Sequence, residues 1–76
     1  KQDRLAPAEA NLRRAADQLP RNSVVQDHYG DLLFKLGRYA EAAAAWQRSL
    51  DGDGEEIERS AVERKLRTAR EKAGAR

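Results

Sequence analysis

The sequence predicts an all-α domain of about four helices, packed as antiparallel helical hairpins. Apolar residues recur at intervals of three and four along nearly the whole chain of 76 residues, which places them on one face of an α-helix. No segment has the strict apolar–polar alternation of a half-buried β-strand. Three short breaks, "LPRNS", "LGRY" and "DGDG", divide the chain into four segments, and a break as short as "GRY" permits only an antiparallel return.

The first helix is predicted from Leu5 to Leu19, where Pro20 stops it because proline cannot continue the backbone hydrogen-bond ladder. The second is predicted to begin in the motif "SVVQ". Ser23 and Gln26 have the spacing of a capping box, in which the two side chains satisfy free N–H groups at a helix N-terminus.

Gly37 is predicted to close the second helix, because a left-handed residue commonly follows the last helical turn and glycine adopts it without strain. The third helix then places Tyr39 and Trp46 on its inner face, and "DGDG" ends it.

The fourth helix is predicted to begin near Glu55, because Asp53 and Glu56 again have capping-box spacing. Its apolar stripe is narrower than those of the earlier helices, so one side of it is expected to pack and the other to face water. The stripe consists of Ile57, Ala61, Leu66, Ala69 and Ala73, with Val62 beside it.

The chain repeats its pattern of residue sizes with a period of 34. Shifting it by that amount aligns "RLAPAEANLRRAAD" with "RYAEAAAAWQRSLD", so that alanines fall opposite alanines. Large residues also meet large residues, with Leu12 opposite Trp46 and Leu5 opposite Tyr39. The match agrees with the helix phases deduced separately from apolar spacing.

A period of 34 with two helices per period resembles the tetratricopeptide repeat, whose pattern is W-x2-L-G-x2-Y…A-x3-F…P. Here Trp46 replaces the Phe of that pattern, Gln26 stands at its first Trp and Gly54 at its Pro. The turn "GRYAEA" is also typical of the family. The residues that carry the resemblance and form the expected repeat core are Tyr29, Gly30, Leu33, Gly37, Tyr39, Ala42 and Trp46.

The resemblance implies a fragment of an α-solenoid, in which helical hairpins stack side by side. Residues 1–54 are expected to form the repeat region, with a half repeat at 1–22 and a full repeat at 23–54. Residues 55–76 are expected to form a C-terminal capping helix with a polar outer face, which keeps the open end of a stack in water.

The function expected from the resemblance is a non-catalytic protein–protein interaction module. In such repeats the first helix of each hairpin lines a concave surface that binds a peptide or protein. On this chain the carboxylates of Asp27 and Asp31 favour a ligand with basic residues and an apolar anchor over Phe34. Asp31 and Lys35 also have the spacing of a surface ion pair. The residues on this side of the second helix are Val24, Asp27, Asp31, Phe34 and Lys35.

The alternative site is the basic fourth helix, which is expected to touch nucleic acid or an anionic membrane surface if it binds anything. This interpretation is less favoured, because the helix has no aromatic residue for base stacking and the net charge of the chain is only +2. A solvated outer face accounts for the same residues. The basic positions are Arg64, Lys65, Arg67 and Arg70.

Neither an enzyme nor a metal or cofactor site is predicted. The chain has no Cys, and no nucleophile with a matching base. His28 and Asp31 supply only two of the three or four ligands that a metal site needs. The stretch "DGDGEE" resembles the start of a calcium loop but lacks the required Gly and the final Glu, so a capped turn is expected there.

The first helix corresponds to the second helix of a repeat whose first helix is absent, so part of its apolar face is expected to lack cover. We therefore expect either further repeats on the N-terminal side or self-association through Leu5, Leu12 and Leu19. No transmembrane segment is expected, because the longest nearly apolar run, "AEAAAAW", is far shorter than the roughly 20 residues that cross a bilayer. The sequence indicates neither a compartment nor a particular partner.

Overall fold

The described part of the chain contains four α-helices and no strand, as predicted. The computed structural model describes the backbone of residues 2–75 and the side chains of residues 9–75. In chain order the helices pack α1 on α2, α2 on α3 and α3 on α4. They are α1 (Gln2–Gln18), α2 (Ser23–Lys35), α3 (Tyr39–Asp51) and α4 (Arg59–Gly74).

The N-terminus of α2 is capped by Asn22 and not by the predicted Ser23–Gln26 capping box. The Asn22 side chain accepts a hydrogen bond from the backbone N–H of Val25 at 3.0 Å, which satisfies one of the free donors of the first turn. Ser23 and Gln26 are both completely buried and use their side chains elsewhere.

The turn between α2 and α3 has the glycine geometry expected from the sequence. Gly37 has φ +81°, in the left-handed region where a side chain would be strained. The next N–H, of Arg38, donates to the carbonyl of Leu33 at 2.9 Å, the long hydrogen bond of a Schellman motif. This turn sends α3 back along α2.

The core lies between α2, α3 and α4, with a smaller contribution from α1. Its buried side chains are mostly small or aliphatic, and Trp46 is the largest of them. Because alanine has a small side chain, alanines at the contact let the helix backbones approach closely. The buried apolar residues are Ala16, Tyr29, Leu32, Leu33, Ala42, Ala43, Ala45, Trp46, Val62, Leu66 and Ala69.

The side chain of Gln26, in the first turn of α2, joins the end of α1 to α2 and α3. Its side-chain amide donates to the carbonyls of Ala16 and Leu19, at 3.1 and 3.3 Å, while its oxygen accepts from Arg48 of α3 at 2.9 Å. Ala16 lies in the last turn of α1, where the carbonyls lack intrahelical donors. Leu19 lies just beyond the helix, and its carbonyl also accepts from the backbone N–H of Asn22 at 3.0 Å. The completely buried Gln26 amide therefore has the hydrogen-bond partners that a buried polar group requires.

Ser23 forms the second polar contact inside the molecule, between the start of α2 and the end of α3. Its hydroxyl donates to the carbonyl of Ser49 at 2.6 Å, and the Ser49 hydroxyl donates to the carbonyl of Ser23 at 2.8 Å. The Ser23 hydroxyl also accepts from the N–H of Gly54 at 2.7 Å. Since this hydroxyl has long-range partners, the cap of α2 comes from Asn22.

The helix α4 begins at Arg59, four residues after the predicted start near Glu55. Glu56 has φ +62°, which interrupts any helix at that point, and Glu58 occupies the N-cap position in an extended conformation. The Asp53 carboxylate accepts from the N–H groups of Ser23 and Glu55, at 3.2 and 3.0 Å, so it caps a turn and the start of α2. The predicted segment 55–76 thus contains a short connection followed by α4.

The apolar face of α1 is partly covered in the described residues. Leu12 is half-buried and packs against the core, whereas Leu19 is 48% exposed. The side chain of Leu5 lies outside the described side chains. Self-association through this face stays a prediction, and among the described residues it now depends mainly on Leu19.

Candidate functional site

Trp46 lies against the backbone of α2 at Gly30, which fixes the position of the indole ring. An ideal Cβ on Gly30 would lie only 2.6 Å from Trp46 Nε1, so no larger residue fits there without displacement. Trp46 is 2% exposed. The predicted contact between a glycine, small residues and an indole is therefore present, with Ala42 also fully buried.

The other predicted repeat-core residues differ in their surroundings. Tyr29 and Leu33 are buried, and the Tyr29 hydroxyl accepts a hydrogen bond from Arg13 of α1 at 3.3 Å. Gly37 is exposed, because its role is in the turn and not in the core. Tyr39 is half-buried and meets Phe34 edge to face, with ring centroids 4.9 Å apart.

The Asp27 carboxylate faces the protein and not only the solvent. Its Oδ1 accepts from Trp46 Nε1 at 3.0 Å and from Lys65 Nζ at 2.8 Å, and its backbone carbonyl also accepts from Trp46 Nε1 at 3.2 Å. The Asp27 side chain is only 19% exposed. Two donors from two different helices therefore hold this carboxylate in place.

Asp31, one turn further along α2, shares the same lysine. Lys65 Nζ donates to Asp31 Oδ1 at 2.8 Å, so Asp31 pairs with α4 and not with Lys35 as the spacing had suggested. The Asp31 side chain is 49% exposed. Lys65 thus links α4 to α2 through two carboxylates.

Lys65 also lies over the indole, with Nζ 5.2 Å from the centroid of the Trp46 ring, within the range of a cation–π contact. Burial alone would lower the pKa of Lys65, but the hydrogen bonds to Asp27 and Asp31 outweigh that effect and raise its pKa above the ordinary value. The charged form of this lysine is the form that the site stabilises.

A groove opens beside this cluster, between α2 and α4. It has a cavity of about 290 Å³, with an aromatic floor and a rim of charged and hydroxyl groups. The Phe34 and Trp46 rings lie 5.8 Å apart at the floor, where Phe34 is half-buried and Trp46 is almost completely buried. The groove is lined by Asp31, Phe34, Trp46, Arg64, Lys65 and Thr68.

The five residues predicted for the concave face do not all line this groove. Asp31 and Phe34 do, whereas Val24 lines a separate cavity of about 260 Å³ whose rim includes Asp53 and Glu55. Lys35 lines a third cavity, next to Leu12 of α1. The predicted surface is therefore divided along α2, and of its five residues only Asp31 and Phe34 line the groove.

The contribution of α4 to the groove was missed. Thr68 was not among the predicted site residues, and Lys65 was predicted to belong to the basic surface of the fourth helix. The Lys65–Asp31 contact joins residues that are 34 apart, which is one repeat period. Extending the period into the last helix would have indicated that α4 lies beside α2 at this level.

The four basic residues of the alternative site are divided between internal and external roles. Lys65 is bound by two carboxylates, and the guanidinium of Arg70 donates to Gln47 Oε1 at 3.1 Å. Arg64 lines the groove, and Arg67 is exposed. They do not form one uniform basic face.

Among the described residues, no group of three or more His, Cys, Asp or Glu side chains is arranged to hold a metal ion. His28 is exposed at the surface of α2. Hydrogen bonds from the N–H groups of Glu55 and Ser23 lower the pKa of Asp53, as expected for a carboxylate that caps a turn. No described helix has both the length and the apolar composition needed to cross a membrane.

Comparison of the chain with protein-family models, with curated proteins and with solved structures found no match.

Proposed function

We propose that the chain is a non-catalytic interaction module of the tetratricopeptide-repeat type, which binds a peptide or protein segment in the groove between α2 and α4. The observation that carries the proposal is the aromatic floor made by Phe34 and Trp46. Phe34 is half-buried and Trp46 is buried, so the exposed part of the Phe34 ring is apolar surface that a ligand can cover.

The size of the groove favours a side chain of a polypeptide over a cofactor. Its volume of about 290 Å³ lies at the lower end of small-molecule sites, which are usually about 300–1,000 Å³. A helix or extended segment that inserts one apolar anchor needs no larger cavity. The polar rim from Asp31, Arg64 and Thr68 then provides hydrogen-bond partners for the backbone or flanking residues of the ligand.

The structure gives less reason to expect a basic ligand than the sequence did. Asp27 and Asp31 were expected to attract basic residues directly, but Lys65 already neutralises part of their charge. With Arg64 also at the rim, an apolar anchor contributes most to binding in the free groove. Nucleic-acid or membrane binding by α4 has less support, because Lys65 and Arg70 have partners within the chain.

The proposal is tested by selecting peptides from a random library against the immobilised chain and measuring their affinity for variants. Phe34→Ala should weaken binding at least about tenfold, which corresponds to 1.4 kcal/mol. Leu19→Ala removes a comparable apolar side chain outside the groove and should leave the affinity unchanged. Circular dichroism checks that both variants keep their helices. Failure to select any peptide, or equal effects of the two variants, would contradict the proposal.

A further inference from the structure

The ammonium group of Lys65 is held by three groups that all belong to the α2–α3 hairpin. Asp27 Oδ1 and Asp31 Oδ1 each accept from Nζ at 2.8 Å, and the Trp46 ring lies beneath it with its centroid 5.2 Å away. Two carboxylates and an aromatic face are the groups that recognise an alkylammonium ion. The three groups that bind the ammonium ion therefore belong to α2 and α3, and none belongs to α4.

The hairpin holds two of the three groups, Trp46 and Asp27, by contacts that do not involve the lysine. The Trp46 indole is held against Gly30, where there is no room for even a methyl group. Its N–H donates to both the backbone carbonyl and the carboxylate of Asp27, at 3.2 and 3.0 Å. Because these contacts orient the ring and the Asp27 carboxylate, these two groups need little reorganisation to accept a cation.

The site also has the charge balance that retains a cation. Two carboxylates face one ammonium, so the cluster of Asp27, Asp31 and Lys65 has a net negative charge. The Lys65 side chain is 34% exposed and lines the groove, so the contact lies at the surface of the protein. Phe34 lines the same groove as Lys65. Its ring can therefore contact the residue next to a bound lysine in the ligand.

We infer that Asp27, Asp31 and Trp46 form a binding site for a primary ammonium group, which Lys65 fills in the free chain and from which a lysine side chain of the partner displaces it. The identity of the partner as a peptide rests on the proposed function. On this basis the preferred ligand contains a lysine next to an apolar residue, with the lysine in the site and the apolar side chain on Phe34. Lys65 thereby competes with the ligand and sets a threshold for binding.

The site is tested without a peptide by using Nα-acetyl-lysine amide as the probe and the fluorescence of Trp46, the only Trp in the chain, as the signal. In Lys65→Ala the probe should cause a saturable change, and its affinity should be at least about tenfold higher than for the wild-type chain. Nα-acetyl-norleucine amide, which lacks the ammonium group, should cause no saturable change at the same ionic strength.

Two further variants keep this test decisive. Lys65→Met retains most of the apolar stem, and it replaces Lys65→Ala if the latter loses helix content. Adding Asp31→Asn to either variant should abolish saturation, because Asp31 contributes to the site while its exposed side chain supports little else. The inference is wrong if the folded Lys65 variants show no saturable response, or if norleucine amide gives the same response as lysine amide.

The peptides selected against the groove separate this inference from the proposed function. Replacing the lysine of a bound peptide by norleucine should reduce its affinity about tenfold. A loss of less than twofold overturns the lysine site and leaves the groove intact. Conversely, a saturable response to lysine amide without any selected peptide supports the ammonium site and contradicts the proposed function.

Discussion

Replacing Gly30 by Ala sets two opposing effects against each other within α2. In an exposed helix the substitution stabilises by about 1 kcal/mol, because alanine has the higher helix propensity. At Gly30, however, the new methyl carbon would lie 2.6 Å from Trp46 Nε1 and 2.7 Å from Cδ1, where carbon contacts are optimal at roughly 3.5–4.0 Å. The ring or the helix must therefore move by about 1 Å.

The indole has little freedom to move. It is 2% exposed and its N–H is bound to Asp27, so displacement weakens core packing and a buried hydrogen bond together. Overpacking costs typically about 1–3 kcal/mol and the weakened hydrogen bond about 1 kcal/mol. After the propensity gain is subtracted, Gly30→Ala should lower the free energy of unfolding by about 2 kcal/mol.

Thermal and urea unfolding followed by circular dichroism measure this effect. For a domain of this size, a loss of about 2 kcal/mol corresponds to a midpoint about 8–16 °C lower. Gly74→Ala is the matched control, because Gly74 is the last residue of α4 and a Cβ there meets no atom within 4 Å. The control should leave the midpoint unchanged or slightly higher. If Gly30→Ala has the same midpoint as the control, Trp46 does not pack directly against Gly30 of α2.

Further predictions concern the cap of α2 and the response to pH. Asn22→Ala should destabilise the chain by about 1 kcal/mol in urea unfolding, whereas Asn11→Ala, on the exposed side of α1, should have little effect; equal effects would contradict the assigned cap. Because the pKa of Lys65 is raised in the folded state, its contribution is complete below about pH 10.4, the unfolded value, and is lost as the pH rises through the folded value. Urea unfolding at several alkaline pH values should therefore show a steeper loss of stability for the wild-type chain than for Lys65→Met, and parallel curves would refute this. Because the pKa of Asp53 is lowered, its contribution is present above about pH 3.9 and is lost as the pH falls through the folded value, so Asp53→Asn should flatten the acid limb of the stability curve. An unchanged acid limb would show that this carboxylate does not cap the turn.

The central hairpin was predictable because its contacts depend on residue size at fixed spacing. Gly30 and Ala42 are the small residues, and Trp46 lies one turn beyond Ala42 on the same face of α3. Such a pattern limits how closely two helices approach, whatever the rest of the chain does. The closing turn at Gly37 was predictable for a similar reason, since the left-handed conformation favours glycine.

The capping residues of the helices were not predictable, although α2 begins at Ser23 as expected, because residues with a capping pattern have partners far away in the sequence. Ser23 was expected to cap α2, but its hydroxyl binds the carbonyl of Ser49, 26 residues away. Asp53 was expected to cap α4, but it binds the N–H of Ser23, 30 residues away. A local motif identifies a side chain that is able to form a hydrogen bond, and the tertiary structure decides which partner it meets: the Ser23 hydroxyl donates to a carbonyl, and the Asp53 carboxylate accepts from an N–H group.

The site was only partly predictable for the same physical reason. Asp31 and Phe34 were assigned to the ligand-binding face of α2, and both line the groove. Spacing within one helix suggested an Asp31–Lys35 pair, yet Lys65 from α4 takes that place. The cation was present in the sequence, but the element that delivers it packs beside α2 only in the folded chain.

The most direct test of the interaction surface is an NMR titration of the isotopically labelled chain with a selected peptide. The largest changes in amide chemical shift should occur at Asp31 and Phe34 on α2 and at Thr68 on α4, because these residues line the groove from both sides. Changes confined to the surroundings of Leu19 or to the exposed Arg67 would contradict the account, since they would place the partner on α1 or on the outer face of α4.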